Sequence, residues 1–371
     1  MKILLLSPAH PLRGGIAASS ERLAQALQQE GHEVLIFSFR LQYPAFLFPG
    51  KTQYTSDPPP PGLKIESRLH SINPFNWIAS GLAIARWRPD HVIVRFWLPF
   101  MGPCLGTALR IARWFSGKKI RVTALADNII PHEKRPGDRL FARYFLGACD
   151  DFVVMSRSVG EEVAGFLGGH ARVRFAPHPL YDTYGEPLEM AGARRLLQLP
   201  PDAPVVLFFG FIRAYKGLDL LLEALALAPG VHAVVAGECY DDWQPYQDII
   251  DKNQLAGRVH LHTGFIPAGE VRRYFSAADL VVQPYKTATQ SGISQIAYHF
   301  DKPMIVTDVG GLPEIVADGV SGYVTAPAAP AIAAAMRDFF EHRREAAMQA
   351  GVRREKQRFS WGNLVKTLLE G

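Results

Sequence analysis

The chain has 371 residues, with 40 Lys and Arg against 35 Asp and Glu, a formal charge of +5. Hydrophobic residues make up 48% and charged residues 20%, which excludes a disordered chain and fits two globular domains, each able to bury a core. Cys104, Cys149 and Cys239 lie far apart, which excludes a disulfide framework and metal or redox spacing, and fits a reducing, cytoplasmic setting.

Ile3–Leu6 is a short continuous apolar run, the pattern of a parallel strand covered on both faces. It is too short for a secretory signal. No run of about 18 apolar residues predicts a membrane-crossing helix. Gly14 and Gly15 follow in a loop. The next helix carries Leu23, Ala24, Ala26 and Leu27 on its apolar face, with Ser19 or Ser20 expected as N-cap and Gly31 as stop. His32–Phe37 then completes a β-α-β unit. Paired glycines before a helix start allow close approach of an anionic ligand, or form a plain tight turn. The Gly-x-Gly-x-x-Gly spacing of a dinucleotide site is absent.

Residues 41–75, rich in Pro and Gly, predict a long loop. A helix is predicted over 76–88, a strand over Val92–Val94, a helix over Gly106–Phe115 and strands over Ile120–Leu125 and Asp151–Met155. Asp127, Asn128, His132 and Glu133 cluster just after the strand ending at Leu125. Such density suits hydroxyl binding or acid–base work, and equally a polar loop with local caps. His132-Glu133 lacks the second histidine of His-Glu-x-x-His, so no zinc or other metal is expected. His178, between Pro177 and Pro179, reads as structural.

Proline and glycine punctuate 183–204, the pattern of a linker with a short helix. A second alternation follows. Its predicted strands are Val205–Phe209, His232–Ala236, Val259–His262, Leu280–Val282 and Met304–Thr307. Its predicted helices are Leu218–Leu227, 243–253, Ala268–Ala277, Gly292–Phe300 and Ala331–His342. Alternation in both halves predicts an α/β protein of two doubly wound, Rossmann-like domains, 1–185 and 186–355. Ligands of such sheets bind at the carboxyl ends of the strands.

Four motifs fall there in the second half. Gly210, Arg213 and Lys216 follow the first strand, and two cations suit a diphosphate. Two solvated loop cations are the bland alternative. Glu238 follows the second strand. Ser291, Gly292 and Ile293 open a helix whose amides suit a phosphate, although serine caps helices everywhere. Glu314 starts a helix after Gly310-Gly311, where it could bind a sugar hydroxyl or complement the helix dipole.

Charge is uneven. Arg110 to Arg143 holds nine basic and three acidic residues, a net of +6. Trp77, Arg86, Trp87, Arg88, Arg110, Arg113, Trp114, Phe115, Lys118 and Lys119 mix cations with aromatics. That set suits an anionic membrane surface, or a solvated helix with buried tryptophans. No helix-turn-helix or RNA-binding motif points to nucleic acid.

Taken together, the motifs resemble the retaining nucleotide-sugar glycosyltransferases of the GT-B fold, family 4. The resemblance is carried by 127–133, Phe209–Gly217, Ala236-Gly237-Glu238 and Gly310–Glu314, and covers nearly the whole chain. It implies two Rossmann-like domains facing across a cleft, with the donor mostly in the C-terminal one. It implies that Gly14 and Gly15 approach the donor phosphates and that Arg213 and Lys216 hold the diphosphate. It implies that a last helix, within 356–371, packs back on the first domain. Two departures stand out. Many members carry Glu-x(7)-Glu where Thr289 to Ala297 has no acidic residue, leaving Ser291, Gly292 and Gln295 for donor contacts. Many also have His where Asp127 stands.

The activity implied is transfer of a hexose from a UDP- or GDP-sugar to a hydroxyl of a saccharide or lipid-linked acceptor, with retention. Asp127, His132, Arg213 and Lys216 would act at the reaction centre. Gly14, Gly15, Gly210, Glu238, Ser291, Gly292, Ile293 and Glu314 would serve the donor, and Asn128 and Glu133 the acceptor. No metal or other cofactor is expected beyond the nucleotide sugar as co-substrate. The setting implied is cytoplasmic, at the inner face of a membrane, in cell-surface polysaccharide or glycolipid synthesis. An epimerase, a phosphorylase or a non-catalytic nucleotide-sugar-binding partner on the same fold would carry many of the same motifs.

Overall fold

The computed structural model describes residues 1–44, 52–130, 135–168, 171–288 and 291–370. The chain divides into two compact units, Met1–Pro177 with Trp361–Gly371, and His178–Ser360.

The first unit runs β1 (Lys2–Leu6), α1 (Gly15–Gln29), β2 (Glu33–Leu41), β3 (Ile65–His70), α2 (Pro74–Trp87), β4 (His91–Phe96), α3 (Gly102–Phe115), β5 (Arg121–Ala126), α4 (Asp138–Leu146), β6 (Asp151–Val154), α5 (Arg157–Leu167) and β7 (Val173–Phe175). The strands form a parallel sheet in the order β3-β2-β1-β4-β5-β6-β7. Central strands are buried along their length: every residue of β4 is buried. That is the double-sided cover which the apolar runs predict. The connections reverse direction between β1 and β4, so ligand-binding loops are expected at the carboxyl ends of those two strands.

Two local expectations are corrected. The 41–75 stretch contains β3, whose half-exposed, charge-bearing sequence, Ile-Glu-Ser-Arg-Leu-His, gives no apolar run. Neither Ser19 nor Ser20 caps α1. The helix starts at Gly15, with Gly14 at φ +116° in the cap position, and both serines lie buried inside it.

The second unit runs α6 (Met190–Leu196), β8 (Val205–Phe209), α7 (Leu218–Ala226), β9 (His232–Ala236), α8 (Gln244–Lys252), β10 (Val259–His262), α9 (Val271–Ala277), β11 (Leu280–Gln283), α10 (Gly292–His299), β12 (Met304–Thr307), α11 (Leu312–Ile315), β13 (Gly322–Thr325), α12 (Ala329–Glu341) and α13 (Glu345–Glu355). Its parallel sheet has the order β10-β9-β8-β11-β12-β13, with the reversal between β8 and β11. The linker-like 183–204 segment belongs to this unit, and the division falls at Pro177 rather than at 185. The reason is packing. Helix α6 lies against α9, and buried Arg194 makes a two-pronged pair with Asp279 at 2.8 and 2.9 Å.

The chain then returns to the first unit as α14 (Trp361–Leu369). Trp361, Leu364, Val365 and Leu368, at helical spacing, join the core that holds Leu23 and Leu27 of α1. Each such burial contributes about 1.5–3 kcal/mol. Arg121 donates to the carbonyls of Leu369 at 3.0 Å and Glu370 at 2.6 Å, which satisfies acceptors at the helix end. Among the described residues no helix is long and apolar enough to cross a membrane.

Candidate functional site

In the second unit, Gly210, Arg213, Lys216, Glu238, Ser291, Gly292, Ile293 and Glu314 all follow the carboxyl ends of β8, β9, β11 and β12. Two glycines make this edge possible. Gly237 has φ +142°, and a Cβ there would lie 2.1 Å from the Gly210 carbonyl oxygen. Gly217 has φ +68°, and a Cβ would lie 1.9 Å from the Pro284 oxygen. Only glycine permits these approaches, which bring the loop after β8 against the loops after β9 and β11.

Lys216 closes a short 3-10 turn, Ala214–Lys216, and is 9% exposed. Its ammonium lies 5.4 Å from the centre of the Tyr285 ring. A Cβ built on Gly210 would meet Lys216 Nζ at 3.1 Å and Ile293 Cδ1 at 3.3 Å, so these three predicted residues converge. Among the described residues no carboxylate pairs with Lys216. Burial lowers its pKa below the usual lysine value, an effect that Tyr215 opposes and the Arg213 charge reinforces. A buried cation without a counter-ion costs folding free energy, which an incoming anion would recover.

Arg213 stacks over Tyr240, 5.1 Å from the ring centre, and the Tyr240 hydroxyl donates to Glu238 Oε2 at 3.0 Å. Tyr240 thus joins two predicted residues. Tyr240 carries no signal in the sequence, since a lone tyrosine near a strand end has no spacing pattern, whereas Tyr285 opens the stretch that leads to Ser291. The Ser291 hydroxyl accepts from Ile293 N at 3.3 Å, a helix cap, and lies 3.3 Å from the Tyr285 hydroxyl. Gly292 gives room to Tyr181, whose ring would lie 2.7 Å from a Cβ there. Gln295 is fully buried, and neither its amide oxygen nor its nitrogen has a hydrogen-bond partner among the described residues. Glu314 sits in the first turn of α11.

The first unit differs. Gly14 and Gly15 are exposed at the start of α1. Asp127 follows β5, and both its oxygens are taken by Arg95 of β4: Nε donates to Oδ2 at 2.7 Å and Nη2 to Oδ1 at 2.8 Å. Arg95 Nη1 also donates to Ser19 Oγ at 2.5 Å. The Ser7 and Ser20 hydroxyls lie 2.6 Å apart beside them. Asp127 therefore neutralises a buried arginine and ties β4 and β5 to α1. Arg95 was hidden in the sequence inside an apolar strand run. Asn128 is half-buried next to Asp127. His132 and Glu133 lie outside the described residues, as does Thr289.

At the amino-terminal ends of β4, β5 and β6, Thr123 Oγ1 donates to Asp151 Oδ1 at 2.8 Å and lies 2.7 Å from His91 Nε2. Its lone pair thus accepts from His91, which places a proton on Nε2. Burial and the nearby Arg121 push the His91 pKa down to about 4. Arg121 and Arg174 complete the pairing of Asp151.

Residues 13–180 match the family model described as Glycosyltransferase Family 4, and 193–356 match that described as Glycosyl transferases group 1. The chain belongs to the group 1, family 4 glycosyltransferases. Its fold is GT-B. Sucrose-phosphate synthase from Thermosynechococcus elongatus superposes with a TM-score of 0.74 at 18% identity, covering 99% of this chain and 97% of that one. Anabaena HepE, solved in complex with UDP, gives 0.73 at 19% identity, covering 99% and 98%. In sequence the chain is 33% identical over 191 residues to a D-inositol 3-phosphate glycosyltransferase of Mycolicibacterium gilvum, covering 50% of this chain and 42% of that protein. The chain spans about half the length of the curated relatives it matches.

Proposed function

We propose that this protein transfers a hexose from a nucleoside-diphosphate sugar, UDP- or GDP-linked, to a hydroxyl acceptor with retention of configuration. One observation carries the reading. Lys216 is a buried cation with no acidic partner among the described residues, set against Gly210 and Ile293 at the reversal point of the second sheet. A diphosphate supplies the missing charge. As the sugar–phosphate bond breaks, negative charge grows on the leaving oxygen, and a prepositioned ammonium stabilises that state more than the substrate. Arg213 adds a second cation. The Ser291-Gly292 helix start offers amides, and Glu238 and Glu314 offer acceptors for sugar or ribose hydroxyls. No metal is needed in this scheme.

Gly14 and Gly15 would bring backbone amides to the donor. Asp127, committed to Arg95, acts as a positioning residue. Asn128, His132 and Glu133 are assigned to the acceptor. UDP and UDP-glucose bound to HepE support a UDP donor. The acceptor is a saccharide or lipid-linked hydroxyl, used at the cytoplasmic face of a membrane in polysaccharide or glycolipid synthesis. Inositol phosphates belong in the acceptor panel because of the relatives' names.

The test is nucleoside-diphosphate release across a panel of UDP-, GDP- and ADP-sugars, with and without acceptors, followed by anomer assignment by NMR. One donor should release its nucleotide in an acceptor-dependent way. Absence of binding to every donor sinks the reading. A second reading, epimerase, phosphorylase or silent binder, is favoured by the lack of acidic residues over 289–297. Acceptor-free isomerisation, phosphate dependence or binding without turnover would each select it.

A further inference from the structure

We propose that the outer face of the α2–α3–α4 layer is a docking surface for an anionic lipid bilayer. This assigns residues to the membrane placement proposed above and rests on that reading.

The three helices pack side by side because glycines let them close up. A Cβ at Gly81 would lie 2.6 Å from the Ala108 carbonyl oxygen. One at Gly102 would lie 2.4 Å from the Phe141 oxygen, and one at Gly106 2.9 Å from the Tyr144 ring. Arg110 locks α4 in place, stacked 4.1 Å from the Tyr144 ring centre and donating to the Tyr144 carbonyl at 2.8 Å.

What the layer turns outward is apolar. On α2, Ser80, Gly81, Ile84 and Ala85 face the core, which leaves Phe75, Ile78, Ala79 and Leu82 on one outer stripe. Phe75 is 85% exposed. At the end of α3, Trp114 is 81% exposed and stacks on exposed Phe115. On α4, Leu140, Phe141 and Tyr144 are exposed while Ala142, Phe145 and Leu146 are buried. Seven of the seventeen large apolar side chains exposed among the described residues lie on these three helices. That density marks an interaction surface rather than scattered exposure.

The charge on this face selects the occupant. The three helices carry five arginines, no lysine and no glutamate. Their single acid, Asp138, is buried and accepts from the Arg135 backbone. Arg113 pairs with Asp150, and Arg110 holds α4. Arg86 and Arg143 are exposed, without an acidic partner among the described residues. Aromatic and leucine side chains flanked by unpaired arginines fit the headgroup region of an anionic membrane. The structure also revises the set read from the sequence. The Trp77 indole donates to the His70 carbonyl at 2.8 Å, Lys2 sits over Trp87, and Lys118 pairs with Asp90, so these three serve the unit itself.

The test is co-sedimentation of the full chain with vesicles of phosphatidylcholine, or of equal parts phosphatidylcholine and phosphatidylglycerol, without donor or acceptor. Binding should be roughly tenfold stronger to the anionic vesicles and should weaken with salt. The triple variant Phe75→Ser, Trp114→Ser, Leu140→Ser alters only exposed side chains. It should lose most binding while keeping the wild-type melting temperature and donor turnover. Arg86→Glu with Arg143→Glu should remove the preference for phosphatidylglycerol. Failure to bind either vesicle, equal binding to both, or a triple variant that binds like wild type overturns the proposal. Self-association of the wild-type chain that the triple variant abolishes, with no vesicle binding, would make the face an interface between copies and also overturn it. Each of these results is separate from sugar transfer, which is read by nucleotide release in solution.

Discussion

Each sheet places a buried cation near its reversal point, and the two are treated in opposite ways. Arg95 in the first unit is met by both oxygens of Asp127 and by Ser19. Lys216 in the second is met by an aromatic ring, a glycine and an isoleucine, with no acid among the described residues. The first arrangement is closed, and its chemistry is spent on holding β4, β5 and α1 together. The second has no such partner among the described residues, and under the proposed function its charge serves the donor. A charged residue near a strand's carboxyl end is thus no sign of a site by itself. The sign is the missing counter-ion.

Substitutions that remove each cation's surroundings should separate the two. Asp127→Ala strands Arg95 without its partner, and should cost about 3–5 kcal/mol of stability by denaturant unfolding. Unchanged stability would show that the pair is not structural. Acid offers a second measure on the same unit. His91 is held neutral with a pKa of about 4, against an ordinary value of 6.5. A depressed histidine pKa means the folded state binds fewer protons between those values. Stability is therefore full above pH 6.5 and falls as pH drops toward 4, by about 3 kcal/mol. His91→Gln should flatten that slope. A wild-type slope in the variant would remove His91 as its source.

Lys216→Met should do the reverse of Asp127→Ala. It removes an uncompensated buried charge, so the fold should be unchanged or firmer. Turnover and nucleoside-diphosphate affinity should still fall about a hundredfold. The pH dependence has a definite sign. The free-protein pKa of Lys216 is lowered, and a bound diphosphate would raise it again. Binding should be strongest below the lowered value and weaken as pH rises through it, measured by calorimetric titration with UDP and GDP. A loss of stability without a loss of affinity would place Lys216 with Arg95. The smallest effect is expected for Arg213→Ala, which leaves Lys216 in place: about a tenfold weaker affinity, in keeping with a partly exposed cation.

The central strands were legible from sequence because burial on both faces demands continuous apolar runs. Val205–Phe209, His232–Ala236 and Met304–Thr307 fall where the pattern put them, and of the edge strands only β10 (Val259–His262) was read as well. The missed strands, β3, β7 and β13, are all edge strands. An edge carries less apolar cover and shows no such run. The return of the chain as α14 was implied by the family resemblance, and the helix buries Trp361, Leu364, Val365 and Leu368 in the first unit.

The sequence by itself determined the two-domain length, the strand–helix alternation and the glycines that mark the loops at the carboxyl ends of the strands. These depend on local periodicity and on backbone freedom, which neighbouring residues encode. Only the tertiary structure decided which charges are spent and which are free. The small +5 excess says nothing of that division. Arg95 and Asp127 lie 32 positions apart yet share two hydrogen bonds. Arg113, Lys118 and Arg121 of the basic stretch are consumed by Asp150, Asp90 and Asp151. Pairing over such separations is set by strand order and helix packing, so it cannot be read from composition.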